Sequence, residues 1–87
     1  MYTIESIMPR LLQKGIPLAV VQFPHPGDSF LFTVLIYRDS EYIIWTFNAQ
    51  TGGFAHGDYF YVRYEEEKSI PKWDVYKQFI SRVKTNF

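Results

Sequence analysis

Two histidines and two aspartates are the residues of this sequence best suited to chemistry. His25 precedes Asp28 by three positions, and His56 precedes Asp58 by two. Imidazole nitrogens and carboxylate oxygens bind Zn²⁺ or Mn²⁺, and a histidine beside a carboxylate can act as an acid–base pair. The same residue types are common in turns, where an aspartate binds backbone amides. Because their spacing matches no established metal motif, we expect no metal, no cofactor and no catalytic residue.

Other catalytic chemistries have even less support in the sequence. The chain contains no cysteine, which excludes thiolate nucleophiles, disulfides and zinc–thiolate centres. No Gly-x-Ser-x-Gly pattern is present, and Thr51-Gly52-Gly53 lacks the lysine of a phosphate-binding loop. We therefore expect a protein that is not an enzyme.

The composition predicts one small folded domain over residues 1–87. Of these residues 47% are hydrophobic and 20% aromatic, which suits a small but rich core. The formal net charge is zero, whereas proteins that bind duplex nucleic acid non-specifically carry a basic excess. We see neither a signal-peptide pattern nor an apolar stretch long enough to span a bilayer, and the lack of cysteine favours a cytoplasmic location.

The dipeptide Asp39-Ser40 predicts a two-residue turn between two strands. That turn fixes a register, since Arg38 then faces Glu41. Side chains alternate along strands, so the pairs fall on two faces. One face is wholly apolar and is predicted to be the core: Ile36–Ile43, Val34–Trp45 and Phe32–Phe47. The other face is intermediate in character: Tyr37–Tyr42, Leu35–Ile44 and Thr33–Thr46.

The remaining elements follow from periodicity and turn signals. A short helix is expected from Ser6 as N-cap to Gly15, and a last helix from Ser69 or Ile70 with its apolar stripe on the core face. The strands are expected at 16–23, 30–38, 41–48 and 59–64, the last after a glycine-rich loop over 49–58. The fold class is thus α+β, a single antiparallel four-stranded sheet in α-β-β-β-β-α order with the C-terminal helix packed on one face.

This topology predicts two candidate surfaces. The loops opposite the Asp39-Ser40 turn would share one edge of the sheet, which would gather His25, Asp28, Asn48, His56 and Asp58. The non-core sheet face would carry an aromatic binding surface, formed by Tyr37, Tyr42, Ile44, Tyr59, Tyr61 and Arg63. Tyrosine and arginine are favoured at interfaces, and exposed rings can also stack on bases. The first helix would close this face if it packed there.

Three functions follow in order. The first is a non-enzymatic module that binds another protein, or itself, through the aromatic face; a phage or mobile-element inhibitor of a host enzyme would fit this size. The alternative is a nucleotide or single-stranded nucleic-acid binder. A metal-dependent enzyme that uses the His25 and His56 edge comes third. Nucleic acid is the less favoured partner, and no membrane is expected.

Two resemblances accompany these predictions. The element order is similar to that of the double-stranded RNA-binding domain, although Ser69–Asp74 contains only Lys72 where that family presents a lysine cluster. The segment Trp45-x-Phe47-Asn48, followed by Gly52-Gly53-Phe54-x-x-Gly57-x-Tyr59-Phe60, resembles a pattern in small uncharacterised bacterial and phage proteins. That family has no assigned function, so the resemblance implies a small domain and no chemistry.

Overall fold

The central hairpin forms as its turn predicts. Asp39 and Ser40 have φ angles of 48° and 63°, the left-handed conformation that a two-residue turn of type I′ requires. Arg38 lies opposite Glu41, and every predicted pair out to Phe32 and Phe47 is present. The register prediction is therefore confirmed.

The computed structural model of the chain describes residues 2–61 and 72–87. Its order is α-β-β-β-β-α, with the antiparallel strands side by side in chain order. The predicted fold class is thus confirmed. The elements are α1 (Ile4–Leu12), β1 (Ile16–Gln22), a short 3₁₀ turn (Pro26–Asp28), β2 (Leu31–Arg38), β3 (Glu41–Asn48), β4 (Gly53–Tyr61) and α2 (Lys72–Thr85).

The first helix begins earlier than the sequence predicts. Thr3, not Ser6, is the N-cap: its side chain accepts a hydrogen bond from the Ser6 amide, and the Ser6 hydroxyl accepts one from the Thr3 amide. This reciprocal capping box satisfies two free amides at the helix start. Pro9 consequently lies inside α1, where it removes one backbone hydrogen bond. Burial of Ile7 and Leu11 against the sheet offsets that loss.

Both faces of the sheet are buried, each under its own helix. We call them the α1 face and the α2 face. The core of the α1 face contains Ile7 and Leu11 with the sheet residues Phe32, Val34, Ile36, Ile43, Trp45 and Phe47. The core of the α2 face contains Val75 and Phe79 with Leu35, Tyr42 and Ile44, and Tyr37 packs against it.

The prediction that the last helix covers the Trp45 face is therefore wrong. The α2 helix packs on the face that the sequence suggested might be open. The physical reason is that Leu35 and Ile44 are as apolar as the residues of the opposite face, and both are essentially inaccessible to water. A sheet with two apolar faces needs cover on both sides.

The fourth strand is the largest departure from the predicted elements. It begins at Gly53 and not at Tyr59, so most of the expected glycine-rich loop is strand. The reversal is confined to residues 48–53, where the Asn48 side chain accepts hydrogen bonds from the amides of Gln50 and Thr51. Gly52 supplies the left-handed residue of this turn, with φ of 76°.

In the described ranges, 2–61 and 72–87, no helix has the length and apolarity to cross a membrane. Several predicted features lie outside these ranges: Arg63, the solvated exit at Glu65–Lys68, and the start of the last helix at Ser69 or Ile70.

Candidate functional site: the exposed aromatic edge of β4

A β-bulge in β4 decides which rings reach the surface. From Tyr61 to Asp58 the strand pairs with Glu41 to Ile44, but the register changes by one residue before Ala55 pairs with Thr46. Two residues, His56 and Gly57, therefore lie opposite Trp45. His56 has φ of 54°, which is uncommon for a residue other than glycine.

This register splits the predicted aromatic face. Tyr59 pairs with Ile43 and Tyr61 with Glu41, which places both rings on the α1 face. Phe60 pairs with Tyr42 and packs on the α2 face instead. The sequence assigned these three residues to the opposite faces, because it placed the last helix on the wrong side of the sheet and gave no register for β4.

The other half of the predicted face is covered. Tyr42 is 7% exposed and Ile44 is 1% exposed, since both pack against Val75 and Phe79 of α2. The Tyr37 ring lies 4.9 Å from that of Tyr42. These three residues, Tyr37, Tyr42 and Ile44, therefore belong to a core.

Tyr59 and Tyr61 remain accessible, with 48% and 63% of their surfaces exposed. Tyr59 is nevertheless held in place. Its hydroxyl accepts a hydrogen bond from Trp45 Nε1 at 3.2 Å, and the two rings meet edge to face with centroids 6.1 Å apart. Trp45 itself is 7% exposed. We name the surface formed by Tyr59 and Tyr61, with Trp45 behind them, the aromatic edge.

Gly57 makes the contact between these rings possible. A Cβ atom at this position would lie 2.8 Å from Trp45 Nε1 and 2.7 Å from Cε1 of Tyr59. Contacts this short are not tolerated, so any side chain would displace one of the rings. The glycine thus brings the backbone of the bulge directly under the Trp45–Tyr59 pair.

Tyr61 interacts with an acid across the strands. The Glu41 carboxylate, through its interaction with the Tyr61 hydroxyl and through its charge, raises the pKa of Tyr61 above the usual value for tyrosine. The phenol therefore stays neutral throughout the physiological range. The aromatic edge presents polar tips without adding a charge of its own.

Cations border the same face. The Arg38 guanidinium carbon lies 5.4 Å from the centroid of the Trp45 ring, and Lys14 Nζ lies 5.4 Å from that of Phe54. Arg10 and Lys14 line an open groove of about 370 Å³ with Thr51 and Phe54. No carboxylate lines this groove in the part of the chain that the structure describes.

The predicted loop edge is not assembled. His25 and Asp28 lie at the 3₁₀ turn between β1 and β2, and Asn48 is engaged in the β3–β4 turn. His56 and Asp58 lie within β4, because the strand starts six residues earlier than predicted. Among residues 2–61 and 72–87, no three His, Cys, Asp or Glu residues come close enough to hold a metal ion.

Asp58 is instead bound by Arg82 of α2, a residue to which the sequence analysis gave no role. One guanidinium nitrogen donates to the Ile44 carbonyl at 3.1 Å and to Asp58 Oδ2 at 3.2 Å. The other donates to the Thr46 hydroxyl at 2.8 Å. Arg82 thus spans the α2 side of the sheet at the point where the bulge disturbs the β3–β4 ladder. No sequence signal identifies this role, which depends on the bulge.

The largest surface depression lies at the start of α1. It is an open groove of about 800 Å³, lined by Tyr2, Phe23, Pro24 and His25 among others. The Gln22 amide closes its floor by donating to the carbonyls of Tyr2 and Ser29. The shape is that of a shallow trough and not of an enclosed substrate pocket.

Comparisons with known proteins add no relative. No model of a known protein family matches this chain, and no curated protein or solved structure matches it at a significant level. The resemblance of residues 45–60 to small bacterial and phage proteins therefore stays a prediction.

Proposed function

We propose that this protein is a non-enzymatic interaction module that binds a polypeptide along β4, with Tyr59 and Tyr61 as anchors. The observation that carries this proposal is the exposure of two tyrosine rings on a strand at the edge of the sheet. A polypeptide that adds to such an edge gains main-chain hydrogen bonds along the strand, and alternate side chains provide specificity.

The two edges of the sheet differ in how they are protected. The β1 edge contains Pro17, which has no amide hydrogen to donate, and its register changes between Pro17 and Ala19. Within the described residues, β4 pairs with β3 alone and contains neither proline nor lysine. Proline, lysine and short strands are common protections against edge pairing, so β4 is the more receptive edge.

The anchors are also prepared for binding. Tyrosine presents a large area with few rotatable bonds, which lowers the entropy lost on association. Tyr59 loses still less because Trp45 already fixes its ring by a hydrogen bond and an edge-to-face contact. A partner would therefore meet a surface whose central ring is ordered in advance.

The test is affinity capture with matched edge variants. The double variant Tyr59→Lys/Tyr61→Lys should lose the partners that the wild-type protein retains from a lysate of its source cells, as identified by mass spectrometry. The control is Ile16→Lys/Leu18→Lys, which changes two residues of the β1 edge that are 59% and 39% exposed. The control should retain the partners. Equal capture by all three proteins would refute the proposal.

A second function, binding of nucleotides or single-stranded nucleic acid, is favoured by the cations beside the rings. Arg10, Lys14 and Arg38 border Phe54 and Trp45 on the α1 face. Aromatic rings stack on bases, and cations neutralise phosphates. Titration of the tryptophan fluorescence with an oligothymidylate tests this function. Affinity that falls steeply as salt rises and is lost in Arg10→Gln/Lys14→Gln supports it, and an unchanged signal rules it out.

We place the proposed function in the cytoplasm, because a chain without cysteine gains nothing from an oxidising compartment. Its small size also suits a phage or mobile-element protein that modulates a host enzyme. Identification of a host enzyme among the captured partners would support that role, and capture of structural proteins alone would oppose it.

A further inference from the structure

We infer that the polypeptide that pairs with β4 is β4 of a second copy of this chain, in an antiparallel dimer whose two-fold axis passes beside Tyr59. This inference rests on the proposed function and names its partner. It follows from three properties of β4: its symmetry-compatible register, its unfilled glycine position and its charge.

Symmetry restricts the register. When two identical antiparallel strands pair about a two-fold axis perpendicular to the sheet, one residue lies opposite its own copy. An axis at Tyr59 places Tyr59 opposite Tyr59 of the second copy, Gly57 opposite Tyr61, and Asp58 opposite Phe60. Both members of each pair then lie on the same face, as a ladder requires.

This register fills the gap above Gly57. Glycine offers a strand no side chain to pack, and an aromatic residue on the neighbouring strand commonly covers it. Tyr61, whose ring is 63% exposed, would lie across from Gly57 of the second copy, and the symmetry repeats this contact. The exposed side of Tyr59 would meet its own copy, which extends the Trp45–Tyr59 contact into a row of four rings.

Charge does not oppose the pairing. The formal net charge of the chain is zero, so two copies have no overall repulsion. The only carboxylate in β4 is that of Asp58, and Arg82 of the same chain forms an ion pair with it at 3.2 Å. The edge strand therefore carries no uncompensated negative charge toward its copy.

The asymmetry of the two edges makes the assembly finite. Each copy has one receptive edge at β4, while Pro17 and the irregular pairing protect the β1 edge. Pairing of β4 with β4 uses the receptive edge of both copies. The product is a closed dimer with a continuous eight-stranded sheet and not an open fibre.

The first experiment measures mass against concentration by analytical ultracentrifugation. The wild-type protein should approach twice its chain mass of 10.3 kDa as the concentration rises. Tyr59→Lys should be monomeric, and Tyr61→Ser should weaken dimerisation about tenfold or more. Leu18→Lys, on the β1 edge, should dimerise as the wild type does. Circular dichroism verifies that each variant is folded.

The second experiment tests the register. Since the chain has no cysteine, a Tyr59→Cys variant contains a single thiol. Mild oxidation should link two copies of this variant, because residue 59 faces itself across the axis. Leu18→Cys should stay unlinked under the same conditions. Cross-linking of Phe60→Cys in preference to Tyr59→Cys would overturn the stated register.

The outcomes separate this inference from the proposed function. A wild-type protein that remains monomeric up to about 100 μM, or a dimer unaffected by Tyr59→Lys, overturns the dimer. If that monomer still captures partners that Tyr59→Lys/Tyr61→Lys loses, the proposed function stands with a different partner. If neither association depends on these tyrosines, both proposals fail together.

Discussion

Trp45 donates a hydrogen bond from Nε1 to the hydroxyl oxygen of Tyr59 at 3.2 Å, across the β3–β4 bulge. An indole nitrogen that is buried without a partner would be costly, and tyrosine supplies that partner at the sheet edge. The same bond leaves one side of the Tyr59 ring in solvent, since Tyr59 is 48% exposed. A structural requirement of the core thus produces an ordered aromatic group on the surface.

We expect Gly57→Ala to break this contact. A methyl group at residue 57 would lie within 2.8 Å of both the Trp45 and Tyr59 side chains, and Tyr59 is free to swing outward. Trp45 would then gain water contact, and its fluorescence should shift to longer wavelength in a Trp73→Phe background. Gly27→Ala is the control, because no atom lies within 4 Å of its added methyl group. Identical spectra for the two variants would contradict the role of Gly57.

The conformation of His56 gives a prediction with the opposite sign. Its φ of 54° is unfavourable for a residue with a Cβ atom, by roughly 1 kcal/mol relative to glycine. We therefore expect His56→Gly to raise the free energy of unfolding by about 1 kcal/mol in urea denaturation. His25→Gly is the matched control, since His25 has φ of −83° and glycine there should destabilise. Destabilisation by both variants would show that the His56 side chain outweighs its strain.

Arg82 should matter more than its ion pair alone. Its guanidinium donates to the Ile44 carbonyl and the Thr46 hydroxyl as well as to Asp58. Loss of all three in Arg82→Met should lower the free energy of unfolding by about 2 kcal/mol, since hydrogen bonds from charged groups are the stronger ones. Asp58→Asn removes only the carboxylate of an exposed pair and should cost less than about 1 kcal/mol. Equal losses would show that Asp58 is the main partner of Arg82.

The sequence predicted what local rules determine and missed what the bulge determines. Asp39-Ser40 specifies a two-residue turn, and alternation then gives the complete β2–β3 register. No comparable signal marks the start of β4, because His56 and Gly57 resemble loop residues although they form a bulge inside a strand. The exposed state of Tyr59 depends on that bulge, so the candidate site was only partly predictable.

The helix positions were missed for a different reason. Both sheet faces of the β2–β3 hairpin are apolar, so the sequence provides no preference for which helix covers which face. Periodicity predicts a buried stripe on each helix, and Ile7, Leu11 and Phe79 are indeed buried. Ile80 and Phe87 belong to the predicted stripe of α2 but are 52% and 71% exposed. Only the packed structure selects among such candidates.

The Glu41–Tyr61 interaction predicts a pH dependence. Glu41 raises the pKa of Tyr61 above the unfolded value of about 10, which means that the folded state favours the neutral phenol. The resulting stabilisation is complete below pH 10 or so and is lost as the pH rises through the folded pKa. In Glu41→Gln we expect the Tyr61 pKa to fall toward the ordinary value, as measured by phenolate absorbance relative to a Tyr61→Phe reference. Glu5→Gln, in the first turn of α1, should leave that titration unchanged, and an equal shift in both variants would contradict the interaction.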